Sequence, residues 1–215
     1  MLAMSVNVLI VEENPQAMAF MERVVRESFS DDLNIARADD LESALGVVRG
    51  AATASAAQAQ PAQRFDIMLI DLDLPDGSAL TLLSEVSSHP SRKIVTTLYA
   101  DDEHLFPALM QGADGYLLKE DRFEVLIETL QKIVRGKPPL SPAIARRMLA
   151  HFRQDAQDPE VLTSTEMDVL THLSKGFTAK EIANLMKIRW TGVNEHISSV
   201  CKKLSASVRA IGPAQ

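Results

Sequence analysis

Short apolar runs alternate along the first 135 residues with longer stretches whose apolar positions recur every three or four residues. Val8-Leu9-Ile10-Val11 and Ile67-Met68-Leu69-Ile70 are unbroken apolar quartets. Such quartets suit strands buried on both faces of a parallel sheet. The pattern predicts strands near 7–12, 34–38, 66–71, 93–98 and 114–118, each followed by a helix, which is the signature of repeated βαβ units. Asn14-Pro15 predicts a helix start: Asn caps, Pro occupies the first helical position, and Met18, Phe20, Met21, Val24 and Val25 follow at helical spacing.

Between the second helix and the third strand, residues 51–63 form an Ala/Gln stretch of low complexity, read as a surface insertion. Beyond the fifth helix come Gly136-Lys-Pro-Pro and Ser141-Pro142, the latter opening a connecting helix through Ile144, Met148, Leu149 and Phe152. Gln154 to Glu160 is polar and reads as a linker. The remainder is helical in pattern, with helices predicted near 164–174, 178–186 and 190–204. Thr163 and Glu166 form a capping box at the first, and Gly176 ends it. A short, tightly connected second helix gives helix-turn-helix spacing. On the third, Val193, Ile197, Val200 and Leu204 fall on one side, while Thr191, Asn194, Glu195, Ser198 and Lys202 fall on the other.

At 215 residues, with 46% apolar and 24% charged side chains, two ordinary domains are expected. Charge sharpens the division. Residues 1 to 120 carry 8 Lys and Arg against 19 Asp and Glu (−11), residues 121 to 160 carry 7 against 6 (+1), and residues 161 to 215 carry 7 against 4 (+3). An acidic module is thus joined to a mildly basic one suited to a polyanion. No apolar run approaches the roughly 20 residues needed to cross a bilayer, so no membrane partner is expected. The start, Met-Leu-Ala-Met-Ser, has no signal-type core, and Cys201 alone allows no internal disulfide, so a cytoplasmic protein is the expectation. Cys201 itself reads as packing.

Ligands of a parallel sheet bind beyond its C-terminal strand ends. Glu12 and Glu13 end the first strand, Asp71 ends the third, Thr97 lies at the end of the fourth, and Lys119 follows the fifth. Clustered carboxylates with room for water suit Mg²⁺, and a bound metal would let Asp71 act as a nucleophile toward phosphorus, with Lys119 as a second positive contact. The bland alternatives are solvated loop charges for Glu12 and Glu13, a turn cap for Asp71, a surface lysine for Lys119 and half-buried packing for Tyr116; Asp73 and Asp76 read as solvated.

Together with the runs Asp71-Leu-Asp-Leu-Pro-Asp-Gly77 and Gly112-Ala-Asp-Gly-Tyr-Leu-Leu-Lys119, these residues resemble the receiver domain of bacterial two-component response regulators. The resemblance implies that Asp71 is the phosphoacceptor, that Glu12, Glu13 and Asp71 hold the metal, that Thr97 and Tyr116 form a switch pair, and that Lys119 contacts the phosphoryl group. The metal positions carry a Glu pair where the family has an Asp pair or a Glu-Asp pair. The extra methylene of Glu13 shifts its oxygens by roughly an ångström or more, so weak Mg²⁺ binding is expected. Leu98 stands where the family places a small residue.

The pattern Leu162-Thr163…Glu166…Gly176…Lys180-Glu181-Ile182-Ala183…Val193…His196-Ile197…Lys203-Leu204 resembles the LuxR-type helix-turn-helix, and the whole chain a NarL/FixJ-type response regulator. The implied fold is an α/β receiver, with a five-stranded parallel sheet of the flavodoxin-like doubly wound kind, plus an all-α helix-turn-helix domain. Expected boundaries are 5–135 for the receiver, 136–160 for a connecting helix and linker, and 161–211 for the DNA-binding domain. Candidate DNA contacts are Lys180, Thr191, Asn194, Ser198 and Lys202. Implied partners are DNA, a sensor histidine kinase or small phosphodonor, and a second copy in a homodimer, although Ser205 to Gln215 replaces the Gly and pairing helix usual in the family. The function expected is transcription control through phosphorylation of Asp71; the alternative is a degenerate regulator acting by protein contact. An enzymatic reading rests only on Asp71-Leu72-Asp73, which resembles the Asp-x-Asp of haloacid-dehalogenase-like phosphatases, and Pro75 breaks that pattern, so no enzyme is expected.

Overall fold

The computed structural model describes residues 5–30, 32–50, 64–98, 102–137, 140–154 and 162–211. The insertion at 51–63 lies outside them, as do Gly212-Pro213 and most of the expected linker. The chain forms two compact units, Met1–Leu98 with Tyr116–Gln131, and Tyr99–Gly115 with Lys132–Gln215.

In the first unit, β1 (Val6–Val11), β2 (Leu33–Ala38), β3 (Ile67–Asp71), β6 (Arg92–Thr97) and β7 (Gly115–Leu118) form a sheet of order β2-β1-β3-β6-β7. The apolar quartets are its centre: Val8 to Val11 and Ile67 to Ile70 are at most 2% exposed. β1 pairs in parallel with both β2 and β3, and β3 with β6. The order therefore reverses at β1 and β3, which opens a crevice at their C-terminal ends.

Helices α1 (Pro15–Ser28), α2 (Leu41–Arg49), α3 (Ala79–Glu85) and α5 (Phe123–Val134) occupy the connections, the last three residues of α5, 132–134, falling in the second unit. Asn14 caps α1 as expected, its side chain accepting from the amides of Gln16 and Ala17 at 2.9 and 3.2 Å. Two elements were not expected. Asp73–Leu74 (β4) and Gly77–Ser78 (β5) form an antiparallel hairpin just after Asp71. Asp76, in its turn, accepts from the amides of Leu41 and Glu42 at 2.7 and 3.0 Å, and so caps α2 from a distant part of the chain. Asp76 is exposed, as expected of a solvated carboxylate, yet it satisfies the first two amides of a helix whose third, that of Ser43, is capped by Asp40.

The second unit comprises α4 (Asp102–Met110), α6 (Pro142–Gln154), α7 (Ser164–Ser174), α8 (Ala179–Met186) and α9 (Trp190–Ile211). The apolar side predicted for α9 is its buried side: Val193, Ile197, Val200 and Leu204 are at most 4% exposed. The helix runs on past 204 to Ile211 because nothing between Ser205 and Ile211 interrupts it, the first Gly-Pro being Gly212-Pro213. Phe106 of α4 meets the edge of His151 at 6.3 Å between ring centroids, and the Arg147 guanidinium lies 5.1 Å from its centroid. Burial pushes the Cys201 thiol up to about 12, which suits the packing role.

Glu166 ties this unit together. It completes the capping box of α7, accepting from the Thr163 amide at 2.7 Å, and it also accepts from Ser199 at 2.6 Å and Lys203 at 2.9 Å on α9. Burial alone would raise its pKa, but these bonds outweigh burial and bring it down to about 2. A carboxyl depressed from 4.5 to about 2 contributes stability that is fully present above 4.5 and is lost as pH falls toward 2. Glu166→Gln should therefore destabilise the helical unit by on the order of 2 kcal/mol at pH 7, with a deficit that shrinks between pH 4.5 and pH 2; urea unfolding across that range checks it, and an unchanged midpoint at pH 7 contradicts it.

Candidate functional site

The crevice at the ends of β1 and β3 holds the charged cluster. Glu12 follows β1 and is 2% exposed, Asp71 closes β3 and is 5% exposed, and Lys119 follows β7. The Lys119 Nζ lies 2.7 Å from Asp71 Oδ2 and 2.5 Å from Glu12 Oε2, so one ammonium bridges two buried carboxylates. The Lys119 amide donates to the Thr97 carbonyl at 2.8 Å, which fixes the lysine backbone against the end of β6. Glu12 is held from its other side, where its Oε1 accepts from the Asn14 amide at 3.1 Å.

Burial raises the Asp71 carboxyl to about 6, with Lys119 pulling against that rise and the Glu12 charge adding to it. For Lys119, burial disfavours the ammonium, but the bonds to Asp71 and Glu12 prevail and raise its pKa. Two carboxylates and one ammonium thus leave the cluster with a net negative charge once Asp71 is ionised, which is a setting for a further cation.

Glu13 does not join this cluster. Its side chain is exposed, although it lines the same cavity of about 500 Å³ together with Glu12, Asp71, Asp73 and Lys119. Among the described residues no three acidic, His or Cys side chains come close enough to hold a metal ion, so the expected triad of Glu12, Glu13 and Asp71 is not assembled here. Lys119 bridges the two inner carboxylates, whereas the Glu13 side chain is exposed to solvent. Thr97 is fully buried at the end of β6, beside Thr96, which pairs in register with Asp71; Tyr116 is half-buried on β7. Leu98 is 57% exposed and forms part of the cavity wall.

Phe20 was expected to follow the apolar period of α1. It instead sits partly exposed at the cavity, its ring 6.0 Å from Phe123, over which the Arg23 guanidinium lies at 4.6 Å. Its place on the outer flank of that period was the only signal in the sequence.

In the helical unit, Thr191, Lys180 and Lys202 are exposed. Asn194 and Ser198 are half-buried and engaged within the chain: Asn194 Nδ2 donates to the Trp190 carbonyl at 3.0 Å, and Ser198 Oγ donates to the Gly136 carbonyl at 2.7 Å. The five expected DNA contacts therefore divide into three side chains open to solvent and two turned toward the chain itself.

A switch-point carboxylate site on a five-stranded parallel sheet, joined to a helix-turn-helix unit, defines the class of two-component transcription regulators. The response regulator receiver domain family matches residues 8–131, and the family of bacterial regulatory proteins of the luxR type matches residues 160–210. The oxygen regulatory protein NreC of Staphylococcus carnosus is 34% identical over 194 residues, covering 85% of this chain and 87% of that protein. The DNA-binding transcriptional activator DevR/DosR of Mycobacterium tuberculosis is 32% identical over 171 residues, covering 77% and 79%. The solved structure of the Salmonella typhimurium RcsB response regulator matches the fold with a TM-score of 0.52 at 17% identity, over 98% of this chain and 99% of that one. The chain belongs to the response regulators that join a receiver domain to a LuxR-type DNA-binding domain.

Because the folded Asp71 carboxyl binds its proton more tightly than an ordinary aspartate of 3.8, stability falls as pH rises from about 4 through about 6. In metal-free buffer, Asp71→Asn should stabilise the protein at pH 7 to 8 by on the order of 2 kcal/mol, with no advantage below about pH 4. Chemical denaturation at both pH values checks this, and a less stable variant at pH 8 contradicts it.

Proposed function

We propose that Asp71 of this response regulator accepts a phosphoryl group from a sensor histidine kinase or a small phosphodonor, and that phosphorylation controls DNA binding by the LuxR-type domain. The observation that carries this reading is the single ammonium of Lys119 bridging the buried carboxylates of Glu12 and Asp71 at the switch point of the sheet. An Asp71 carboxylate oxygen attacks phosphorus, an Asp71–phosphorus bond forms, and the donor's bond to phosphorus breaks with its electron pair leaving on the donor. Lys119 neutralises charge on the transferring oxygens. Thr97 and Tyr116 respond as a switch pair.

The donor set fits a hard divalent cation, since Glu12, Glu13, Asp71 and Asp73 bring carboxylate oxygens to one cavity with room for water. Glu12 and Asp71 would hold Mg²⁺, with Glu13 at its edge, and the ion would supply charge neutralisation to the phosphoryl group. The receiver spans 5–135, the connecting helix and linker 136–160 and the DNA-binding domain 161–211. The protein works in the cytoplasm. Lys180, Thr191 and Lys202 meet DNA directly, and Asn194 and Ser198 do so once released from their bonds within the chain; a homodimer is the DNA-bound form. The alternative of a degenerate regulator gains no supporting observation.

Incubating the full chain with acetyl phosphate and Mg²⁺ should add the mass of one phosphoryl group, and Asp71→Asn should abolish the addition; a phosphorylated Asp71→Asn variant overturns the assignment. Glu13→Asp should tighten Mg²⁺ binding, and an equal or weaker affinity would show that the longer side chain is no hindrance.

DNA binding should depend only shallowly on salt, because few Lys or Arg face outward along α9. Each phosphate contact contributes about 0.9 to the slope of log affinity against log salt. Binding isotherms at several salt concentrations check this; a slope of roughly eight contacts or more per chain contradicts it, and Asn194→Lys should raise affinity.

A further inference from the structure

The second unit contains a cavity of about 540 Å³ lined by both cationic and apolar side chains. Lys132, Arg135 and Lys137 supply the cationic side chains, from the last turns of α5 and the segment after it. Trp190, Phe177 and Ile197 supply apolar surface. No acidic residue lines this cavity among the described residues. A field of one sign focused between low-dielectric walls raises the local concentration of anions. The Lys137 ammonium already lies 4.5 Å from the centroid of the Trp190 ring, so charge and aromatic surface are contiguous. The volume falls within the roughly 300 to 1,000 Å³ usual for small-molecule sites, which are mostly apolar with a few convergent polar groups.

We propose that this cavity binds a free nucleotide, with the base against Trp190 and Phe177 and the phosphates on Lys132, Arg135 and Lys137. A bare phosphate would use only the cationic side chains and leave the aromatic ones in water. Duplex DNA fits the cavity poorly: a groove-reading helix needs a convex, open face, whereas Ser198 on α9 is bonded to Gly136 beside this cavity. The site lies on the helix that carries Asn194, which also lines the cavity, so a bound nucleotide acts on the same residues as DNA and links the DNA-binding unit to a metabolite. The inference is independent of whether Asp71 is phosphorylated.

Trp190 is the single tryptophan of the chain and reports directly on the site. Titrating the full-length protein with adenosine triphosphate, without metal and at physiological salt, should change its fluorescence saturably at submillimolar concentration. Inorganic tripolyphosphate should bind about tenfold more weakly or worse, since it lacks the ring. The double variant Lys132→Gln with Arg135→Gln should raise the apparent Kd about tenfold or more while its far-ultraviolet circular dichroism stays unchanged; both side chains are exposed. Absence of a saturable change, equal affinity for tripolyphosphate, or an unaffected double variant overturns the proposal. So does a fluorescence response to duplex DNA with none to the nucleotide.

Discussion

One ammonium between two buried carboxylates sets the terms for the rest of the receiver. Lys119 reaches from the end of β7 to Glu12 at the end of β1 and Asp71 at the end of β3, and so draws three strands to one point. Neither carboxylate is cheap to bury alone, because an unpaired charge in a low-dielectric setting is strongly disfavoured. The raised pKa of Asp71 records the cost that remains after pairing. A buried carboxylate held at a loss of stability is a common signature of a site shaped for chemistry rather than for folding.

The helical unit is arranged around the opposite kind of carboxylate. Glu166 is as buried as Asp71, yet its three hydrogen-bonding partners hold it ionised far below the ordinary range. One group stores strain and the other removes it, and the difference lies in the number of donors that surround each. The long α9 hangs from Glu166 through Ser199 and Lys203, which leaves its opposite flank, with Thr191 and Lys202, toward solvent.

Much of this was legible in the sequence wherever the signal was local. The quartets at 8–11 and 67–70 specify buried parallel strands because no polar residue breaks them, and Asn14-Pro15 and Thr163…Glu166 specify helix starts because their side chains satisfy amides three residues away or fewer. The apolar side of α9 followed from its period. Other features depend on partners distant in the chain. Asp76 caps α2 across 35 positions, and nothing in its own neighbourhood announces that. The β4–β5 hairpin has strands of two residues, too short for any alternation to show. Glu13 carries the same charge as Glu12, and only the fold reveals that Lys119 takes the inner pair and leaves Glu13 outside. Lys132, Arg135 and Lys137 look like ordinary solvated cations until Trp190 is brought beside them.

The account turns on Lys119 as the group that makes the buried Asp71 carboxylate tolerable. Carboxyl carbon chemical shifts of Asp71, followed by NMR against pH in metal-free protein, test it directly by comparing the unmodified chain with Lys119→Met. Asp71 should titrate near about 6 in the unmodified protein and distinctly higher in the variant, since burial and the Glu12 charge are then opposed only by the hydrogen bond from the Asp73 backbone. An Asp71 that titrates at the same pH or lower without Lys119 would contradict the account.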